Sequence, residues 1–211
     1  MFAVNTYEEI IKREQKSKDK HIVVLLFVKP SLSGASDVIN EFSYIHHNSN
    51  RYCSIYAIGY TDDFNANSKK GYMKVRGVDG NDWYYSDREF VRFKNNLEKR
   101  LHWTYSGEIE VMVLQNNPNA KNSLNFQNYI SIDVNYGIRN GYIESFPRFM
   151  ESLVRASKKE VTAYEAVRKV AKHRVKIKEV VEDVIDECKK IPKPLRQIFK
   201  DQLFYRCSIR K

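Results

Sequence analysis

The stretch Ile22-Val23-Val24-Leu25-Leu26-Phe27-Val28 constrains this chain more than any other part of it. Its seven apolar residues show no helical period, and they are far too few for a membrane span of about 20 residues. A short, continuous and largely β-branched run reads as a strand buried on both faces, which Pro30 ends. No other stretch of the sequence is longer and equally apolar, so no transmembrane helix is expected. The first residues, MFAVNTYEEII, have neither a basic segment nor an apolar one of the secretory kind.

Other elements arrange themselves around that strand. A first short strand is expected at 2–4. Thr6-Tyr7-Glu8-Glu9 fits a capping box, with Ile10 and Ile11 on the apolar side of the helix it opens. Val38, Ile39, Phe42 and Ile45 recur at helical spacing after Ser31-Leu32-Ser33-Gly34-Ala35-Ser36. A second strand is predicted over 54–60. A polar excursion follows over 61–85, with one extra strand near 73–75. Ser86-Asp87-Arg88-Glu89 is a second capping box, and its helix carries Phe90, Phe93, Leu97 and Leu101 on one stripe. Strands are predicted at 109–114 and 129–134, joined by an Asn-rich loop. Ser145 then caps a helix that has Pro147 in its first turn.

This order resembles that of the thioredoxin-like fold over residues 1–156: a central mixed α/β sheet flanked by helices. In the alignment Ser33-Gly34-Ala35-Ser36 takes the place of the family's Cys-x-x-Cys motif. The departures decide the expected chemistry. The hydroxyls of Ser33 and Ser36 do not ionise near neutral pH and cannot form a mixed disulfide. No proline lies between Pro30 and Pro118, so the family's proline before the strand at 109 is missing. Cys53 precedes a strand and caps no helix. The resemblance therefore implies a redox-inactive scaffold that docks a protein partner, with no cofactor. Ser33 and Ser36 read instead as helix caps.

Other chemistry finds less support. No Gly-x-Ser-x-Gly elbow, Walker loop or dinucleotide fingerprint is present. His46-His47 lacks metal-ligand partners at a suitable spacing, so no metal site is expected. Asp62, Asp63, Asp79 and Asp82 lie in predicted loops and form the alternative of a hydrolase or nuclease. Glu108-Ile109-Glu110 supplies acids to a strand start but no lysine two residues on. The three unpatterned cysteines suit a reducing cytoplasm.

Charge sets residues 157–211 apart as a basic helical extension. The whole chain has 36 Lys and Arg against 26 Asp and Glu, a net charge of +10. Of that excess, +8 falls in residues 151–211, and nine bases stand against two acids between Arg155 and Lys178. Glu179 to Glu187 then carries five acids. The tail reads as one long helix or as two broken near Arg174, followed by Pro192-Lys193-Pro194 and a third amphipathic segment. Arg168, Lys169, Lys172, Arg174, Lys176 and Lys178 are the candidate contacts to a partner. Nucleic acid is one candidate, held through its phosphates, since the acidic stretch that follows would repel it from a recognition helix. A second copy of the chain, pairing basic block to acidic block, is another.

Overall fold

The computed structural model describes residues 1–49, 52–101, 103–118, 120, 123–158, 163, 166, 167, 170 and 205–209. The run at 22–28 supplies β2 (Ile22–Phe27), whose six residues are all buried. β2 lies inside a six-stranded mixed sheet, preceded in the chain by β1 (Phe2–Val4) and α1 (Tyr7–Glu14). After it come α2 (Ala35–Asn40), α3 (Phe42–Ser49) and β3 (Cys53–Ile58). α4 (Asp87–Arg100), β7 (Glu110–Asn116), β8 (Leu124–Asp133), α5 (Val134–Arg139) and α6 (Phe146–Ser157) complete the domain. β9 (Tyr205–Ile209) returns to the sheet from the C-terminal region.

The strand order is β1-β3-β2-β7-β8-β9. β1, β3 and β2 are parallel, whereas β7, β8 and β9 each run antiparallel to the neighbour before them. The register sets Leu25 between Tyr56 of β3 and Met112 of β7. Parallel neighbours demand crossover helices, and the flanking helices bury both faces of β2, which is why it tolerates no polar residue. Phe27 meets Phe90 and Phe93 of α4 at ring-centroid distances of 6.1 and 6.4 Å.

The capping boxes form as the sequence dictates. Thr6 Oγ1 accepts from Glu9 N–H at 3.3 Å, and Glu9 Oε2 accepts from Asn5 N–H at 3.3 Å. Ser86 and Ser145 cap α4 and α6 by accepting from Glu89 N–H and Arg148 N–H, while the Glu89 carboxylate turns to Arg88 and Arg92. Ser33 and Ser36 do not cap α2, against expectation. Gly34 holds the cap position at φ +76° and no side chain bonds to the freed amides.

The excursion over 61–85 is more ordered than its polarity suggests. β4 (Tyr60–Thr61), β5 (Met73–Arg76) and β6 (Asp82–Tyr85) pair as a separate three-stranded sheet in the order β4-β6-β5. The predicted strand at 54–60 therefore splits at Gly59, whose φ of +84° turns Tyr60 into the second sheet. Part of the region read as a helical extension also behaves differently. Ala163, Ala166, Val167 and Val170 are helical and buried against the main core, and 205–209 is a strand of the sheet. Among the described residues no helix is long and apolar enough to cross a membrane.

Candidate functional site

Beyond the C-terminal end of β2 the chain turns through Ser33-Gly34 into α2, facing the start of β7, α5 and the first turn of α6. These elements enclose a cleft of about 510 Å³. Val38, Ile109, Val134, Ile138 and Phe146 give it apolar walls, while Ser33, Asp37, Asn135 and Arg139 stand among its polar groups. Ile138 is 38% exposed, whereas Val38, Ile109, Val134 and Phe146 are nearly fully buried.

A polar bridge fixes the surrounding loops. Asn135 Nδ2 donates to Glu108 Oε2 at 2.9 Å and to the Ser33 carbonyl at 3.3 Å. Arg139 donates to the other Glu108 oxygen at 3.0 Å. The bond from Asn135, backed by Arg139, holds the Glu108 carboxyl below the usual carboxylate range. Asp133 caps α5 through Tyr136 N–H at 2.8 Å. Burial pushes its carboxyl up despite that bond, with the charges of Glu110 and Glu108 adding to the shift. α5 and the two loops are thus tied together before any ligand arrives.

The cleft lining combines apolar side chains with carboxylate, amide and guanidinium groups. Among the described residues it contains no histidine, cysteine or lysine, so the Ser33 hydroxyl has no imidazole, thiolate or amine beside it in the cleft. Ser36 is exposed and outside the lining. Cys53 is buried in β3, where burial pushes its thiol up to about 12, so it supplies no thiolate near neutral pH.

The loop acids stay apart in their roles. Asp63 caps the short helical turn Phe64–Ser68 and lies 3.5 Å from Lys69 Nζ. Asp79 lies 2.7 Å from His47 Nε2, and Asp82 lies 2.7 Å from Lys74 Nζ. Asp62 is exposed. Among the described residues no group of three His, Cys, Asp or Glu could hold a metal ion. Arg168, Lys169, Lys172, Arg174, Lys176 and Lys178 all lie outside the described residues.

Two buried polar clusters have no clear counterpart in the sequence pattern. Glu14, 1% exposed, accepts from the Tyr56 hydroxyl at 2.5 Å, and its other oxygen lies 3.0 Å from His21 Nε2. The same ring nitrogen stands 3.0 Å from Ser54 Oγ, while Nδ1 faces the Asp19 carbonyl at 3.2 Å. A nucleophilic triad needs acid and hydroxyl on opposite nitrogens, so this is an ion-pair cluster rather than a catalytic set. Burial opposes both charges here. The bonds from His21 and Tyr56 nevertheless hold Glu14 below its ordinary value, and Glu14 holds His21 above its own. In the second cluster Glu110 accepts from Trp103 Nε1 at 2.6 Å, from Ser106 N–H at 2.9 Å and from the Ser131 hydroxyl. The legible signal for the first was a glutamate on the Tyr7-Ile10-Glu14 stripe of α1.

Comparison with known protein families, with curated proteins and with solved structures finds no match to this chain.

Proposed function

We propose that this chain is a non-catalytic binding or adaptor protein, a redox-inactive thioredoxin-like scaffold that docks a protein partner and carries a basic tail. The observation that carries the reading is the preformed cleft beyond β2, largely apolar in its lining and without histidine, cysteine or lysine among the described residues. Support for the scaffold comes from the strand order β1-β3-β2-β7-β8 with helices between its parallel members, which is the order of thioredoxin-like sheets. In that frame Ser33 and Ser36 sit where the redox thiols would be, and Ile109 directly precedes β7 where the family has its proline. What survives the loss of the chemistry is the receptor surface.

The size and character of the cleft favour a short segment of a protein. A volume of about 510 Å³ accommodates a few side chains, its walls reward apolar ones, and Asp37, Asn135 and Arg139 offer polar groups for the backbone beside them. The bridge from Glu108 to Asn135 and Arg139 lowers the ordering cost of binding.

The test uses Ile138→Arg, a change at an exposed cleft residue that leaves the core untouched. The wild-type chain, immobilised and exposed to nuclease-treated extract of its native host, should retain a defined protein that Ile138→Arg loses. The reading fails if the variant retains the same protein at the same level, or if the wild type retains none.

A further inference from the structure

Nine residues at the end of α1 and in the turn after it, Lys12 to Lys20, carry five cations: Lys12, Arg13, Lys16, Lys18 and Lys20. All five are exposed. Among the described residues none has a carboxylate within ion-pair distance. Of the two acids in the stretch, Glu14 is turned inward to Tyr56 and His21, leaving Asp19 alone at the surface. The overall charge balance hides this patch, because residues 1–150 are nearly neutral as a whole.

The turn is fastened to the sheet. Asn116 of β7, 1% exposed, donates to the Asp19 carbonyl at 3.0 Å and accepts from His21 N–H at 2.7 Å. Ser17 Oγ also donates to the Asp19 carbonyl, at 3.1 Å. The negative end of the α1 dipole accounts for Lys12 and Arg13, and Arg13 also lies 4.7 Å over the Phe2 ring. Lys16, Lys18 and Lys20 lie past the helix and repel one another on an anchored segment. That arrangement gains nothing for folding and suits a polyanion.

We infer that the Lys12–Lys20 turn is a nucleic-acid-binding surface that contacts the phosphate backbone, remote in sequence from the basic C-terminal block and separate from the cleft. Every exposed side chain in the stretch is charged or polar. A protein interface would place apolar residues at its centre and exclude lysine from it, and a membrane-surface helix would need an apolar face. Phosphates need only the cations, helped by a hydrogen bond from the exposed Gln15 amide. Binding through phosphates is indifferent to base sequence and steeply dependent on salt.

The full-length chain is titrated into fluorescently labelled oligo(dT) of 20 nucleotides and a mixed-sequence strand of the same length, from about 50 to about 200 mM salt. The test variant carries Lys12→Gln, Lys16→Gln, Lys18→Gln and Lys20→Gln. A charge-matched variant carries Lys69→Gln, Lys70→Gln, Lys74→Gln and Arg76→Gln, where Asp63 and Asp82 already balance the surface. Thermal melts check that both fold. The turn variant should bind both strands at least about tenfold more weakly at low salt, and its salt slope should fall by up to about 3, near 0.7 for each phosphate left without its cation. The charge-matched variant should stay within about threefold of wild type. Equal losses in both variants would reduce the effect to net charge and overturn the proposal. Wild-type binding to DNA by the turn variant would overturn it too. In that case, loss of binding to phosphatidylserine vesicles would reassign the turn to a membrane surface, and loss of DNA binding on replacing Lys169, Lys172, Arg174 and Lys176 would assign DNA to the tail.

Discussion

His21→Gln isolates the charge in the cluster that joins α1 to the central strands. Glu14 is 1% exposed and faces the imidazole at 3.0 Å, while Tyr56 donates to its other oxygen at 2.5 Å. Removing one partner of a fully buried pair costs about 3–5 kcal/mol. The His21 side chain keeps 20% of its surface in water, and glutamine can still donate one neutral hydrogen bond. The expected loss is therefore below that range, about 2 kcal/mol out of a total stability of roughly 5–15.

The pH dependence carries the sign. His21 is raised above its ordinary value, so its contribution is complete below about pH 6.5 and is lost as pH rises through the folded-state pKa. Glu14 is lowered, so its contribution is complete above about pH 4.3 and is lost as pH falls through the folded-state pKa. The pair thus stabilises most between those limits. Urea unfolding followed by tryptophan fluorescence should give a gap between wild type and His21→Gln of about 2 kcal/mol near pH 5.5, shrinking to about 0.5–1 near pH 9, where a neutral hydrogen bond remains. Tyr56→Phe removes an uncharged donor and should cost about 1–2 kcal/mol at both values. A His21→Gln gap that is constant, or that widens toward pH 9, would refute the ion pair.

Gly59→Ala should destabilise the chain by about 2–4 kcal/mol in the same assay, since φ is +84° and the new Cβ would lie 2.7 Å from Phe90 Cβ; an unchanged midpoint would show that the turn into the second sheet is not needed. A chain ending at 158 loses the residues that bury against the core at 163–170 and uncovers the β8 edge, so light scattering should find it associating where the full chain does not; a monodisperse fragment with the full chain's melt would make 1–156 self-sufficient. No turnover is expected in an insulin-reduction assay, and turnover that vanishes on replacing Cys53 would contradict its buried, protonated thiol.

What was legible had a local cause. The buried strand, the capping boxes and the Phe90-Phe93-Leu97 stripe are written in consecutive residues, because covering both faces of a strand or closing a helix end restricts neighbours directly. The three-stranded second sheet was illegible because its register depends on Gly59 and on pairing Lys74 with Tyr84 and Val75 with Trp83, partners ten and eight residues apart in a polar segment. β8 begins at Leu124, earlier than its apolar run, and the register against β7 shifts between Asn125 and Ile130, which breaks the alternation a sequence pattern would show. α5 is six residues long and centred on a glycine, with no apolar stripe to announce it. At the site, Ser33 and the acids of Glu108-Ile109-Glu110 were named from the sequence, but Asn135, Ile138 and Arg139 were not. A cleft is a property of elements distant in sequence, and the bond from Asn135 to Ser33 spans 102 residues.

The cleft and the basic turn stand at opposite ends of β2. His21, which follows the last cation of the turn, immediately precedes the strand, and the cleft opens past its other end, where Ser33 enters α2. Six residues of strand span roughly 20 Å at about 3.3 Å each, more than twice the screening length of about 8 Å at physiological salt. Charge brought to the turn by a polyanion is therefore screened before it reaches Asp37 or Glu144 in the cleft. The reverse path is closed by chemistry. Arg139, the one cation in the cleft lining among the described residues, is already bonded to Glu108, so a phosphate backbone gains little by entering. The proposed protein-docking cleft at one end and the proposed phosphate-binding turn at the other can be occupied together without competing for a residue. That independence is what the proposed adaptor would require, and it would arise because a single fully buried strand holds the two ends a fixed distance apart.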